Sequence, residues 1–367
     1  MNVLIINCIL YTSFDCDVIP KRSSISDCMI CNLARAFVEL GHSVTLLASA
    51  DYKPTNNEKQ EFNIIYFESK LASVFNPKVL PYPKGLFKYL KNNSENFDIV
   101  ISSEVFSIAS LISARTCPEK LLIWQELDLF QHKFFQLPAK FWHYIVVQLF
   151  MRNVKVVARS SQAKKFISQF NDNVSPEIVD HGMDGNKFYP SNETNDYFIV
   201  VSRLLPLKCI DKIIYTFAQF ISNNSYSHYK LKIIGYGSEY ERLTQLAQNL
   251  GIEYNIEFCG FLDHNEMAEH LRHAKALLIS TKHDLNMISI TESITCGTPI
   301  VTTSIPLTSA IIKQREFGIV DDDWNEKTLE LLIRNYKKYK TNCILAHDEY
   351  TSVNCAKRLI NAFEKFN

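Results

Sequence analysis

Glycine is scarce in this chain, at 10 of 367 residues, where average usage of about 7% gives roughly 25. Loops that cradle phosphate groups depend on glycine, because only a bare backbone approaches such a group closely. The loop after the first strand-like run lacks paired glycines, which excludes that kind of cradle there. No run of about 18 apolar residues occurs, which excludes a membrane-spanning helix. Net charge is also missing. The 39 basic residues balance 39 acidic ones, so nothing global argues for nucleic acid or an acidic partner. Ten cysteines are scattered, and only Cys28 and Cys31 have CxxC spacing. They fall inside a predicted amphipathic helix and no second pair complements them, so buried thiols in a reducing cytoplasm are expected. The opening MNVLIINCIL has neither a positive n-region nor a small-residue cleavage site, so it reads as a strand and not a signal peptide.

What is present is an ordinary apolar content of 47%, enough for an ample core, in a length that suggests two domains or one unusually large one. Val3 to Leu10 reads as a strand. Ser26 is placed to cap a helix through Leu33, Phe37 and Val38, ended by Gly41, and Val44 to Ala48 is the next strand. Asp98–Ser102, Leu121–Trp124 and Val154–Ala158 are further β-like runs. Polar residues follow the first two, Ser103-Glu104 and Gln125-Glu126. Arg159-Ser160-Ser161 opens a helix through Phe166. The turn-rich SNETND at 191–196 reads as a domain boundary. A second α/β series follows, with strands at Tyr197–Val201, Lys230–Ile234 and Ile256–Cys259. Asp263 and Glu266 have capping-box spacing, and the chain ends in a helix-like segment, Ser352–Lys365. The two halves repeat one α/β architecture.

Between Phe130 and Val156 the composition changes. Phe134, Phe135, Phe141, Trp142, Tyr144, Ile145, Leu149 and Phe150 interleave with Lys133, Lys140 and Arg152. Such a helix can lie on an anionic membrane surface or pack as a core helix with snorkelling ends.

The most informative stretch is STKHDLNMISITESITCGTPIV at 280–301. It follows the apolar run Ala276–Ile279 and sets Asp284 and Glu292 at the two ends of a loop that leads into a helix. A second strand-like run follows. This is a βαβ unit with its loop at the carboxyl edge, where open α/β sheets bind ligands. Ionised carboxylates accept hydrogen bonds and donate none, which suits a ligand rich in hydroxyls.

Four segments, in order, resemble the retaining GT-B glycosyltransferases of family 4. HGMD at 181–184 is similar to the family's NGVD linker, and VSRLLPLKCID at 201–211 to GRLxxxKGID. IIGYGSEYERL at 233–243 is similar to GxGxxxxxL, and HDLNMISITESITCGTPIV at 283–301 to EGFGLPxxEAxACGxPVV. The resemblance implies an α/β GT-B fold: two Rossmann-like domains facing across a cleft. It places an acceptor-binding domain at 1–190 and a nucleotide-sugar-binding domain at 191–350. A helix at 351–367 would return to the first domain. It implies that Arg203 and Lys208 neutralise the donor diphosphate. Glu292 would accept from the ribose hydroxyls and Asp284 would stand near the sugar. Amides of Leu285, Asn286, Met287 and Ile288 would meet sugar or phosphate. Gly260, Phe261 and Leu262 would flank the base, and Gly235 and Gly237 would keep their loop tight.

The same resemblance implies a retaining hexosyltransferase that uses a UDP- or GDP-sugar, without metal or cofactor, in cell-surface polysaccharide or lipid-linked oligosaccharide assembly. Asp15 and Asp17 have Asp-x-Asp spacing, but they sit far from the phosphate-binding half. The expected partners are the nucleotide-sugar, a glycan or lipid-linked acceptor, and a peripheral membrane surface met through 133–152. The expected location is cytoplasmic, on the inner membrane face. A non-catalytic assembly partner, an epimerase and a phosphorylase are the alternatives. Departures are specific: Asp284 replaces Glu, Leu285, Met287 and Cys209 replace glycines, the family's N-terminal Gly-Gly falls near Ser24-Ile25, and its N-terminal histidine falls near Gln125 or Glu126.

Overall fold

The structure, a computed structural model, describes residues 1–11, 19–130, 136–282 and 287–366. The chain forms two compact units, Met1–Gly182 with Ser352–Asn367, and Met183–Thr351. The SNETND turn lies inside the second unit.

The first unit holds a seven-stranded sheet: β1 (Asn2–Ile6), β2 (Ser43–Ser49), β3 (Asn63–Phe67), β4 (Ile99–Ser103), β5 (Leu121–Gln125), β6 (Lys155–Ala158) and β7 (Val174–Ile178). Their order is β3-β2-β1-β4-β5-β6-β7, and every pairing is parallel. Parallel strands are covered on both faces, so they read as continuous apolar runs. Val3, Ile5, Ile101 and Leu122 pack on one face; Leu4, Ile6, Val100 and Ile123 pack on the other. The C-terminal helix, Ser352–Glu364, buries Cys355, Ala356, Leu359 and Phe363 in the first of these cores, beside the helix Met29–Glu39. Ser26 does not cap that helix. Cys28 occupies the cap position without a side-chain bond, and the Ser26 hydroxyl pairs with Ser24 instead.

The second unit holds β8 (Tyr197–Val201), β9 (Lys230–Ile234), β10 (Ile256–Gly260), β11 (Ala276–Leu278), β12 (Ile300–Thr302) and β13 (Gly318–Val320), in the order β10-β9-β8-β11-β12-β13 and all parallel. The helices Ile210–Ile221, Tyr240–Asn249 and Glu326–Arg334 cover one face. The helices His264–His273, Ile288–Thr295 and Tyr336–Ala346 cover the other. The chain therefore leaves β8 toward one face and β11 toward the opposite face. The edge between these two neighbours is a topological switch point, the place where open α/β sheets form a ligand crevice. The capping box of Asp263 with Glu266 is formed, which fixes the start of the third crossover helix.

Candidate active site at the carboxyl edge of the second sheet

The loop after β8 is built by its neighbours. Ser202 N–H donates to Ile234 C=O at 3.0 Å, Leu204 N–H to Tyr236 C=O at 2.8 Å, and Glu239 N–H to Leu204 C=O at 3.0 Å. The loop after β9 therefore lies directly against it. Gly235 and Gly237 make this possible. A Cβ on Gly235 would stand 1.9 Å from the Ser202 carbonyl oxygen, and one on Gly237 would stand 2.1 Å from that of Leu204. Both glycines thus meet the protein's own backbone. Gly260 follows in the same layer, its carbonyl accepting from Gly235 N–H at 2.7 Å. Beyond it Phe261 is exposed and Leu262 packs against the core.

Lys208 ends a short 3-10 turn and is buried. Together with Val201, Ser202, Ser280, Thr281 and Met287 it lines a crevice of about 10 Å³ at the switch point between β8 and β11. Arg203, on the same loop, is exposed. Cys209 takes a left-handed conformation, φ 49° and ψ 42°, at the cap of the helix Ile210–Ile221. That geometry explains why the family motif carries glycine there. A side chain in this region costs about 1 kcal/mol.

Asp284, Leu285 and Asn286 lie outside the described residues. The segment before them is tied down by Lys282 N–H, which donates to Leu207 C=O at 2.9 Å. After them, Met287 is buried and occupies the cap of the helix Ile288–Thr295 without offering a side-chain acceptor. Ile288 is partly exposed at the first turn. Glu292, one turn further, is only 5% exposed. Burial pushes its carboxyl up to about 7, because a low-dielectric surrounding disfavours the charged form. Among the described residues, no group forms a hydrogen bond or ion pair with that carboxylate.

The first sheet carries charged groups at its own carboxyl edge. Glu104 follows β4 with φ 64°, a left-handed non-glycine residue. Its carboxylate accepts from Glu126 N–H at 2.8 Å and Leu127 N–H at 3.2 Å. Burial and the nearby Glu126 charge push it up to about 7 against those two amides. Arg159, after β6, stacks over Trp124 at 4.6 Å, donates to Glu126 at 2.7 Å and meets His181 Nδ1 at 2.6 Å. The two candidates for the histidine position differ sharply. Gln125 is fully buried and closes its own loop, accepting from Val105 N–H and donating to Leu127 C=O, both at 2.9 Å. Glu126 is exposed. Sequence reading missed Arg159 and His181 as parts of this edge. Their signal was available, since Arg159 directly follows β6 and His181 comes three residues after the end of β7.

Comparison with known proteins bears on the second unit and on the fold. Residues 185–346, less than half of the chain, match the family described as "Glycosyl transferases group 1". That match falls within the second unit, Met183–Thr351. An uncharacterized glycosyltransferase of Methanocaldococcus jannaschii, MJ1607, is 24% identical over 182 residues, which are 45% of this chain and 44% of that protein. The chain thus spans less than half of that relative's length. An uncharacterized glycosyltransferase of Haemophilus influenzae is 23% identical over 321 residues, 84% of this chain and 86% of that one. Among solved structures, Anabaena Alr3699/HepE in complex with UDP superposes with a TM-score of 0.66 at 14% identity, covering 100% of both chains. The fold is that of the GT-B glycosyltransferases. Among the described residues, no group of three or more His, Cys, Asp or Glu is placed to hold a metal ion, and no helix is long and apolar enough to cross a membrane.

Proposed function

We propose that this protein is a retaining, metal-independent glycosyltransferase of family 4. It would move a sugar from a UDP- or GDP-sugar to a glycan or lipid-linked acceptor in cell-surface polysaccharide or lipid-linked oligosaccharide assembly. The observation that carries the reading is the switch-point crevice of the second unit, where Lys208 lines the opening beside the buried cap of the helix that bears Glu292. Arg203 and Lys208 receive the leaving diphosphate, with Arg as a bidentate fork and Lys as a point charge. The first-turn amides at Met287 and Ile288 add the positive end of a helix. Glu292 accepts from the ribose hydroxyls, and by the resemblance of its motif Asp284 is the candidate for serving the sugar. The acceptor hydroxyl attacks from the face the diphosphate leaves, with a phosphate oxygen taking its proton. Stabilisation of the departing charge is then the chief contribution of the protein. The UDP complex of the HepE neighbour supports the donor class.

A peripheral membrane position belongs to the same proposal. The segment from Gln136 to Phe150 is continuously helical, and Leu137, Phe141, Tyr144 and Leu149 are more than half exposed on it. Lys133, Phe134 and Phe135 lie outside the described residues. Trp142 faces inward instead, donating to Val105 C=O at 2.9 Å.

The test is a panel of UDP- and GDP-sugars read by thermal shift and by product NMR. One donor should raise the melting temperature and give a product of unchanged anomeric configuration. Arg203→Ala and Lys208→Ala should each weaken donor binding roughly tenfold or more. A panel in which no nucleotide-sugar shifts the melting temperature refutes the reading. An inverted product refutes its stereochemical part.

A further inference from the structure

A second opening lies in the same unit, on the side of the sheet covered by the helix Ile210–Ile221. It is a cleft of about 560 Å³ between that helix, the end of β11 and the loop after β12. That is the size of a small-molecule site. It adjoins the Lys208 crevice, since Ser280 and Thr281 line both. Neither Arg203 nor Glu292 lines it.

The wall chemistry is specific. Tyr215 presents its ring at 50% exposure, and Ile305 extends the apolar side. Tyr215 and Thr216 stand one turn beyond Asp211 and Lys212, so the four share a helix face. Ser280 is 4% exposed and Thr216 5% exposed. Neither hydroxyl forms a hydrogen bond within the described chain, and both line the cleft. Buried hydroxyls ordinarily find a partner. Here the partner space is the cleft. Lys282 adds an exposed ammonium at the rim. The charges beside it are already committed. Asp322 accepts from Ser304 N–H at 2.7 Å and from its hydroxyl at 2.9 Å, Lys212 donates to Asp322 C=O at 3.0 Å, and Asp211 pairs with Arg242 at 3.3 Å.

An aromatic platform, an aliphatic edge and unpartnered hydroxyls that both donate and accept match a pyranose ring. Its C–H face is apolar and its rim carries hydroxyls. A phosphate would need several uncommitted cations, and among the described residues of the lining only Lys282 is offered. We infer that this cleft is a saccharide subsite of the second unit, which holds a neutral glycosyl residue stacked on Tyr215 beside the donor crevice. It rests on the glycosyltransferase reading above and adds to it a glycan-holding site on the donor side of the molecule.

The experiment uses the full chain, saturation-transfer NMR with methyl glucopyranoside, galactopyranoside and mannopyranoside as probes, and UDP and inorganic phosphate as competitors. At least one glycoside should receive saturation with wild type, strongest on the protons of one ring face, and should keep it when UDP is added. Tyr215→Ala, at a half-exposed position, should cut that signal by up to roughly tenfold. Thr216→Val, equal in shape, should cut it with no change in melting temperature. Absence of transfer to any wild-type glycoside overturns the inference, as does transfer undiminished in both variants. Displacement by UDP places the sugar in the donor crevice, and displacement by phosphate makes the cleft an anion site; either overturns it. Glycoside binding that behaves as expected, without any thermal shift from a nucleotide-sugar, would refute the donor reading and leave the cleft standing.

Discussion

Glu292→Gln tests the second unit's site at its most buried charged group. The Glu292 carboxyl moves from an ordinary 4.5 to about 7 on folding. Between those values the folded chain keeps a proton that the unfolded chain has released. Stability therefore falls as pH rises through that window, and the penalty is complete above about pH 7. At about 1.4 kcal/mol per pH unit, the loss between about pH 5 and about pH 8 is roughly 2–3 kcal/mol. Glutamine has the same shape and no charge. Whatever its amide costs in that pocket, the cost does not change with pH. The quantity to measure is the change in unfolding free energy from pH 5 to pH 8, by urea denaturation, in wild type and variant. Wild type should lose roughly 2–3 kcal/mol more than the variant over that interval. Subtracting the variant removes the parallel contribution of Glu104, which burial raises in the same direction. Nucleotide binding should show the complementary pattern. A protonated carboxyl is a poorer acceptor for ribose hydroxyls, so wild-type affinity should weaken as pH drops below about 7, while the variant should bind weakly at every pH. Parallel stability profiles in the two proteins would refute the burial argument. Equal nucleotide affinity would refute the ribose role.

Two substitutions probe the loop layer. Gly237→Ala drives a methyl into the Leu204 carbonyl, and should cost about 1–3 kcal/mol and the nucleotide-induced thermal shift together; a melting curve like wild type would show that the layer yields. Cys209→Gly relieves a left-handed side chain and should raise stability by up to about 1 kcal/mol; a lower melting temperature would show that the thiol's contacts outweigh the strain. For the membrane surface, flotation with anionic liposomes should recover wild type and leave Phe141→Glu/Leu149→Glu in solution, since both residues are exposed; equal flotation of the two would separate membrane contact from this helix.

The strands of the second unit were legible in outline. Tyr197–Val201 and Lys230–Ile234 match their strands at both ends, because a parallel strand buried on both faces must be written as an apolar run. The capping box at Asp263 was legible because it is a local bond between residues three apart. The strands β3 and β13 and the helices between Thr308 and Ala346 were not called. The burial of Asn63–Phe67 is only partial along an edge strand, and β13 is three residues long. Such elements are decided by what they pair with. Ser26 shows the same limit from the other side: its residue type fits a cap, but the hydroxyl found Ser24 first.

The sequence by itself determined the α/β class, the two successive strand–helix series and the identity of the charged candidates, Arg203, Lys208 and Glu292. The class and the two series follow from residue type and short-range spacing, which a linear reading contains; the charged candidates follow from the motifs that resemble the family 4 glycosyltransferases. Tertiary structure alone decided what the scarce glycines do. Gly235 and Gly237 were expected only to keep their loop tight; each sits against a carbonyl thirty-three residues earlier in the chain, where no side chain fits. It also decided which of Gln125 and Glu126 is spent inside the fold, and that Ser280 and Thr216, 64 positions apart, share one cleft. Each of these facts is a contact between distant segments. The parallel sheet fixes such contacts by bringing successive strand ends to one edge, and no local pattern records them.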